Sequence, residues 1–492
     1  MRSHLLLAAA SAVALTGAVS ADAQSRRTQP ALSAREVQTA RQQHPQITQE
    51  FGGAETGARA NYVASVGRRV AAQSGTGNAG QAYVITTLNS PVNNAFAVPG
   101  GYVYITRQLM GIMNDEAELA SVLGHEVGHI AANHSRSRQR VAQRNTIGSV
   151  LGSIFGSLIG GDFGGLIARG ATQLAQVNTA SFSQSQEYES DTLGLRYITS
   201  AGYDPNGLAN MLTQLTNASS LQARIEGRQE RTTPSWASTH PSGAARVRRA
   251  TQLAQQTGRA GTGLRNRDAF LNALDGVIVD DDPRQGIVDG NSFRHPDLRL
   301  RFNTPTGYTM QNGTSAVTVS GSAGQAQFSG GSYTGDLESY IARVYQQLTG
   351  GRAQVQIPQP QRTTVNGIPA AYTVARIQAQ QGPLDVGVFA YQWDADTRYH
   401  FLTIARAGSG FGPFSGMVQS LGRLSASEAA AIRPRVLDVV TVRVGDTQQS
   451  LASRMAYGNY QLERFRVLNG LTANAALRPG ERVKLVVYGS RA

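Results

Sequence analysis

The sequence has no cysteine, and this absence limits its covalent chemistry. Without a thiol the chain can form neither a disulfide nor a thioether link to a lipid at its N-terminus. Lysine is almost absent too, because Lys484 is the only lysine and every other basic residue counted in the net charge is arginine. The formal net charge of +13 therefore comes from arginine. Such a charge favours contact with anionic polymers or membrane surfaces, and we expect no nucleic acid partner.

The N-terminal region also lacks an apolar run that is long enough to cross a membrane. The run over residues 5–19 is shorter than the ~20 residues that a transmembrane helix needs. A weakly basic start precedes it, and residues 21–23 read Ala-Asp-Ala, a small-x-small cleavage pattern. We therefore expect a secretory signal over residues 1–23 and a mature chain that begins at Gln24. Export without cysteine fits a bacterial periplasm and a protein that is not a lipoprotein.

Changes in composition and in apolar pattern divide the chain into several regions, as expected for 492 residues. Residues 24–45 are polar and predict a flexible lead-in. Residues 46–275 alternate helical stretches with a few strands and carry the candidate metal ligands. Residues 286–430 alternate in the manner of strands, with one helix from Leu337 to Leu348, and predict a small α/β domain of unknown role. The expected fold class is α+β with several domains, the first of them mainly helical.

Residues 125–129 read His-Glu-Val-Gly-His, an H-E-x-x-H pentad, and the residues around it predict a helix. Asn114 or Asp115 can cap the helix N-terminus, and Asp115 with Glu118 fits the D-x-x-E form of a capping box. Apolar residues then repeat at helical spacing from Leu119 to Ile130, so one face is expected to be buried. The pentad is therefore expected in a partly dry interior, where a metal site can form.

The spacing of the pentad can build a metal site from one turn of this helix. His125 and His129 share one helical face, so both can offer a ring nitrogen to a single Zn²⁺. Glu126 is next to the first of these ligands and is placed to accept a proton from an attacking water. The pattern therefore predicts metal-assisted hydrolysis, with peptide bonds as the expected substrate.

The site needs a third protein ligand, because a catalytic zinc usually has three and a water. The contiguous extension H-E-x-x-H-x-x-G-x-x-H is absent. His134 follows His129 by five residues, so a continuing helix would point it away from the ligands, and we interpret it as structural. Glu187 and Asp191 are spaced i and i+4 on a second predicted helix. We expect Glu187 to bind zinc and Asp191 to accept the outer ring N–H of a ligand histidine, while Glu189 faces elsewhere.

The order of these motifs resembles the M48 family of zinc metallopeptidases, in which H-E-x-x-H is followed by E-x-x-x-D. Two further segments agree with the family pattern. Residues 94–101 read N-A-F-A-V-P-G-G, and residues 238–242 read S-T-H-P-S with Arg246 beyond them. The resemblance covers residues 46–255 and implies a zincin-type metallopeptidase domain with one Zn²⁺ per chain. The implied ligands are His125, His129 and Glu187, with Glu126 as the catalytic base.

The added segments indicate how a substrate is held. The strand over residues 94–97 is expected at the exposed edge of the cleft, where an extended peptide can pair with it through main-chain hydrogen bonds. The substrate-binding candidates are thus Asn94, Ala95, Phe96 and Ala97. His240 is a catalytic candidate with two open roles, donor to the oxyanion or fourth ligand that keeps the enzyme latent. Arg246 is another, either donating to a substrate carbonyl or anchoring Asp191 or Glu187.

An apolar, glycine-rich segment follows the pentad helix over residues 147–170, and Asp162 and Arg169 interrupt it. Its uninterrupted part is short for a transmembrane helix, and glycine is frequent in it. We expect a partly helical segment near the cleft, acting as a lid or as a flap that makes peripheral contact with a membrane.

The C-terminal region, residues 437–488, has a pattern of its own. Its predicted order is strand, two short helices, strand. Residues 442–447 read V-R-V-G-D-T, and later segments read L-N-G-L and L-R-P-G-E-R-V. These motifs resemble a LysM domain, which implies binding to polymers that contain N-acetylglucosamine, above all peptidoglycan.

Together these features predict a periplasmic zinc endopeptidase that hydrolyses misfolded or envelope proteins, with outer-membrane proteins among its substrates. Two alternatives stay open. The chain could be a latent zinc protein that acts mainly as a chaperone or quality-control factor in outer-membrane protein assembly. It could also be a cell-wall binding protein whose metal site is vestigial.

Overall fold

The computed structural model describes most of the chain. The described residues are 32–76, 79–134, 182–225, 240, 243–349, 356–379 and 382–490. The expected secretory signal and the expected lid or flap over residues 147–170 lie outside the described residues. Within them, no helix combines the length and the apolarity that crossing a bilayer requires.

The region that carries the pentad is mainly helical and surrounds a small sheet. Its strands are β1 (Val84–Leu88), β2 (Ala95–Val98) and β3 (Tyr102–Thr106). The sheet order is β1-β3-β2, with β1 parallel and β2 antiparallel to β3. The helices described in this region are α1 (Ala34–Glu50), α2 (Ala58–Ala71), α3 (Ala79–Ala82), α4 (Arg107–Ile112), α5 (Glu116–Ala131), α6 (Gln184–Ser200), α7 (Asn206–Ile225), α8 (Ala244–Gln256) and α9 (Arg267–Leu274).

Helix α5 carries the pentad and begins where the sequence predicts. The Asp115 side chain accepts a hydrogen bond from the Glu118 backbone N–H at 3.0 Å, which caps the helix. Glu118 accepts from the backbone N–H of Asn114 at 2.8 Å instead of that of Asp115, so only half of the expected capping box forms. Every residue of α5 except Ile130 is buried, because α2, α6, α7 and β2 pack around it. The metal helix is thus an interior helix, buried on more than the one face expected.

Helices α5 and α6 cross closely because glycines lie at their contact. A side chain at Gly194 would place its first carbon 2.8 Å from the His125 backbone nitrogen, and one at Gly128 would lie 2.7 Å from Ser190 Oγ. The Ser190 hydroxyl donates to the His125 carbonyl at 2.5 Å. Glycine permits this approach of the two backbones, which brings the two metal motifs together.

The prediction of a flexible lead-in over residues 24–45 is wrong for residues 34–45, because these residues belong to helix α1. Ala40 and Ile47 on this helix are buried in one apolar cluster with Phe96 of the sheet. A mainly polar helix can dock through such a narrow apolar stripe, which composition alone does not reveal.

The middle region is built on antiparallel sheets. A two-residue strand β4 (Ile278–Val279) precedes it. Its strands are β5 (Ile287–Asp289), β6 (Ser292–His295), β7 (Leu300–Asn303), β8 (Thr309–Asn312), β9 (Ala316–Gly321), β10 (Gly324–Ser332), β11 (Gln361–Val365), β12 (Ile368–Ala379), β13 (Gly382–Gln392), β14 (Thr397–Arg406) and β15 (Gly422–Arg423). Its helices are α10 (Leu337–Thr349), α11 (Ser415–Ser420) and α12 (Ala426–Ala430). The expected helix from Leu337 is confirmed, and it packs on β12 and β13.

The strands of this region form one sheet in the order β11-β12-β13-β14-β10-β9-β8 and a second in the order β15-β7-β6-β5. Every strand pair described in them is antiparallel. The expected α/β character is therefore corrected to α+β, because short hairpins connect many of these strands where parallel strands would need crossover helices.

The C-terminal region has the predicted order of strand, two short helices, strand. These elements are β16 (Arg435–Thr441), α13 (Gln448–Ala452), α14 (Gln461–Asn469) and β17 (Arg482–Tyr488). Strand β16 pairs with β17 on one side and with β4 on the other. The buried Lys484 ammonium donates to the carbonyls of Gly111, at 2.9 Å, and Met113, just before α5. This region therefore shares one apolar core with the helical region.

Candidate metal centre

The pentad meets two distant segments in the interior, where side chains from α5, α6 and the segment before α8 converge. The converging donors belong to His125, His129, Glu187 and His240. One donor atom from each of them lies within 4.8 Å of the others, so the four could hold a metal ion. Each of these residues is at most 1% exposed. Polar groups so deeply buried need a compensating partner, and a cation would supply it.

The spacing of the four donors fits a tetrahedral metal site. Ligand atoms that surround one zinc ion at ~2.0–2.1 Å lie about 3.3 Å from one another. The Nε2 atoms of His125 and His129 are 2.9 Å apart, and Glu187 Oε1 lies 3.5 Å from His129 Nε2. His240 Nδ1 is 3.1 Å from His125 Nε2 and 2.9 Å from Glu187 Oε1. Two imidazoles and a carboxylate are also a donor set that catalytic zinc takes, so the residues fit the metal.

Asp191 and Arg246 hold His125 from the interior. His125 Nδ1 donates to Asp191 Oδ1 at 2.9 Å, so the Nε2 lone pair faces the cluster. Arg246 donates to both Asp191 oxygens at 2.7 Å, and its Nη1 lies 2.7 Å from Glu187 Oε2. Although burial raises it, the hydrogen bonds from Arg246 and His125 hold the pKa of Asp191 below its usual range. These contacts are those that the anchoring role of Arg246 requires.

His134 contacts His129, the other candidate ligand of the pentad, although we expected it to point away from the site. Its Nδ1 lies 2.9 Å from His129 Nδ1, and its Nε2 lies 3.2 Å from Glu189 Oε2. Helix α5 ends at Ala131, and Asn133 then adopts a left-handed backbone conformation with φ of 55°. This turn redirects the chain, so the expectation based on a continuing helix was wrong. An asparagine just past a predicted helix end is the sequence signal for such a turn.

Glu126 and Phe182 complete the surroundings of the ligands. Glu126 is buried beside the cluster, and its Oε1 lies 3.6 Å from His240 Nε2. Phe182 stacks on His129 with ring centroids 3.7 Å apart, an apolar cover that sequence reasoning missed. Burial lowers the pKa of His129, and the neighbouring His125 and His240 act in the same direction. The ring is therefore neutral, as a metal ligand must be.

Strand β2 lies at an edge of its sheet, since within the described residues it pairs only with β3. The side chains of the segment predicted to bind substrate are buried. Asn94 is 6% exposed, and Ala95, Phe96 and Ala97 are at most 8% exposed. One reason is that α5 packs against β2, while α1 joins the cluster that contains Phe96. A substrate that paired with this strand would do so through main-chain groups.

Residues 57–254, which contain all the candidate ligands, match the family described as Peptidase family M48. The mitochondrial metalloendopeptidase OMA1 of Arabidopsis thaliana is 29% identical over 133 residues, which cover 26% of this chain and 24% of that protein. The protein of the same name from Schizosaccharomyces pombe is 26% identical over 188 residues, which cover 38% of this chain and 51% of that protein.

The beta-barrel assembly-enhancing protease of Yersinia pestis is 27% identical over 161 residues, which cover 32% of this chain and 33% of that protein. The chain therefore spans about half the length, or less, of these relatives. Residues 57–254 are thus similar to M48 peptidases, and most of the buried His-His-Glu-His cluster lies on their described helices.

Proposed function

We propose that the protein is a zinc-dependent endopeptidase. One observation carries the proposal, namely that His125, His129 and Glu187 gather their donor atoms in a buried cluster with Glu126 beside it. The match to Peptidase family M48 over the same residues supports the reaction class. Zinc is the proposed metal because two imidazoles and one carboxylate form a ligand set that it commonly takes in hydrolases.

The roles of the chain's own residues follow from the contacts. A zinc ion in the cluster would supply a Lewis acid that activates water and stabilises negative charge on the scissile carbonyl. Glu126 would accept a proton from the attacking water and pass it to the leaving amine. Asp191 would keep the His125 proton on Nδ1, so that the Nε2 lone pair faces the other donor atoms. Burial excludes bulk water and strengthens these electrostatic interactions.

We also propose that His240 keeps the site closed in this conformation. Its Nδ1 lies 3.1 Å from His125 Nε2, and its Nε2 lies 3.6 Å from Glu126 Oε1. A fourth protein ligand at this place would occupy the position that a catalytic site leaves open for water and substrate. The contact of His240 with the other donor atoms favours the fourth-ligand role over the oxyanion role. In that role, His240 would have to move away before hydrolysis.

Glu126→Gln tests the reaction. We expect the variant to bind one zinc per chain, as the unchanged protein does, and to cleave an unfolded protein substrate ~10²–10⁴-fold more slowly. Metal content by mass spectrometry and cleavage of casein, with and without a chelator, measure the two properties. Undiminished turnover in this variant would exclude Glu126 as the base.

His240→Ala tests the closed state. If His240 blocks the site, this variant should hydrolyse casein faster than the unchanged protein while it retains its zinc. Slower hydrolysis at unchanged zinc content would assign His240 the oxyanion role instead. Client binding without any cleavage, in both proteins, would favour the latent chaperone.

We propose that the substrates are envelope proteins of the periplasm, including outer-membrane proteins. The signal-like pattern over residues 1–23 supports the compartment, and the name of the Yersinia pestis relative supports the substrate class. Cell fractionation tests the location. Cleavage of an unfolded outer-membrane protein in preference to casein tests the substrate.

We propose that the C-terminal region binds peptidoglycan. Its LysM-like motifs and its order of strand, helix, helix, strand support this role. Because it shares a core with the helical region, bound polymer would lie next to the peptidase unit. Co-sedimentation of the full chain with purified peptidoglycan, competed by chitin oligosaccharides, tests the binding, and a chain that stays in the supernatant would exclude it.

A further inference from the structure

We propose that His134 and Glu189 are positioning residues that orient His129, as Asp191 orients His125. The inference rests on the proposed function, because it assigns both residues a role toward the ion that His129 would bind. They come from different segments, His134 from just beyond α5 and Glu189 from α6. Neither belongs to the ligand set, yet each lies in a continuous line of contacts that starts at a ligand.

The proposed ligand role of His129 decides how protons are shared along this line. His129 Nε2 faces the cluster, 2.9 Å from His125 Nε2, so its lone pair belongs there and its proton is on Nδ1. That N–H donates to His134 Nδ1 at 2.9 Å, which places the His134 proton on Nε2. The His134 Nε2–H then donates to Glu189 Oε2 at 3.2 Å. With both rings neutral, this assignment of protons satisfies both hydrogen bonds of the line, from His129 to His134 and from His134 to Glu189.

The surroundings leave the ligand ring little freedom. Phe182 stacks on one face of His129, and His134 holds its Nδ1. The His134 side chain is 5% exposed, whereas that of Glu189 is 60% exposed. The line of contacts therefore runs from a buried ligand to a carboxylate in solvent. A ring that is stacked on one face and hydrogen-bonded at one nitrogen keeps its second nitrogen aimed at the cluster.

The competing explanation is that His134 only fills space at the end of α5. In that case, side chains of suitable size would serve equally well, whatever their hydrogen bonding. Asparagine and leucine separate the two roles at this position. His134→Asn offers an amide oxygen near the place of the histidine Nδ1 and can accept the same N–H, whereas His134→Leu offers no acceptor.

The experiment measures the zinc affinity of the full chain by competition with a chromophoric chelator, and the visible spectrum of the Co²⁺-loaded protein. We expect His134→Leu to weaken zinc binding about 10- to 100-fold and to shift the Co²⁺ bands. We expect His134→Asn to bind zinc within about threefold of the unchanged protein. Equal affinities and spectra for both variants would overturn the positioning role.

Two further measurements keep the outcome decisive. Should thermal unfolding of the metal-free chain show that His134→Leu does not fold, Glu189→Ala removes the outer acceptor at an exposed position. Its zinc affinity is expected to fall by less than about tenfold but measurably, and an unchanged affinity would overturn the inference. An unchanged protein that binds no zinc would instead overturn the proposed function itself.

Discussion

The two candidate ligand histidines of the pentad are held in contrasting ways. His125 is oriented by Asp191, whose side chain is 1% exposed and paired with Arg246. His129 contacts His134, and the carboxylate beyond that ring, Glu189, has a side chain that is 60% exposed. We call Asp191 and Arg246 the deep side of the centre, and His134 and Glu189 its outer side. The deep side consists of buried charged groups. On the outer side, a neutral imidazole connects His129 to a carboxylate in solvent.

This difference teaches how strongly each side should act on a bound metal. A carboxylate that accepts the outer N–H of a ligand histidine raises the basicity of that ring. Its charge acts strongly in a buried site and weakly where solvent screens it. The deep side should therefore control whether the metal is retained, and the outer side should control how one ring is aimed. Substitutions that remove a charge are therefore expected to have larger effects on the deep side than on the outer side.

Arg246→Met should have the largest effect. It would leave the Asp191 and Glu187 carboxylates buried without their cation, which is expected to lower the free energy of unfolding by about 3–5 kcal/mol. Arg248→Met, at an exposed position of the same helix, is the matched control and should change that energy by less than about 0.5 kcal/mol. Urea unfolding of the metal-free proteins measures both. If Arg246→Met and Arg248→Met unfolded at the same urea concentration, the ion pair of the deep side would not contribute to stability.

Asp191→Asn should have the next largest effect. The amide keeps an oxygen that can accept from His125 Nδ1, but it removes the charge that strengthens the ligand. We expect the zinc dissociation constant to rise about 10- to 100-fold. Chelator competition measures it, and an unchanged constant would reduce the role of Asp191 to packing.

Glu189→Gln should have the smallest effect. The amide oxygen still accepts from His134 Nε2, and the lost charge lies at a position that solvent already screens. We expect the zinc dissociation constant to change by less than about threefold. A loss as large as that of Asp191→Asn would contradict the comparison, because the outer carboxylate would then act as strongly as the deep one.

Spacing along the chain was enough to predict that the two pentad histidines lie together, because residues at i and i+4 share a helical face whatever surrounds the helix. His125 and His129 share a face as that rule implies, whereas the approach of Glu187 from a second helix was predicted from the combination of the two motifs. The rule applies only within the helix. The prediction that His134 points away from the site was wrong because His134 lies beyond the helix end. Its contact depends on the left-handed turn at Asn133, and a local turn decides where the next side chain lies.

Long-range pairing was harder to predict. The alternating runs and the helix from Leu337 could be read locally, since each depends on its own apolar pattern. The pairing of Val279 with Arg435 could not, because residues so far apart in sequence leave no local pattern. The helix that contains Ala40 was missed for a related reason. Its few apolar residues form a buried face only because the sheet packs against them.

The central claim is that the buried cluster binds one zinc ion. Anomalous X-ray scattering at the zinc edge, from crystals of the zinc-saturated full chain, locates that ion directly. We predict one peak about 2.0–2.2 Å from His125 Nε2, His129 Nε2 and a Glu187 carboxylate oxygen. A crystal of that protein with no peak at the cluster, or with zinc bound only elsewhere, would contradict the claim.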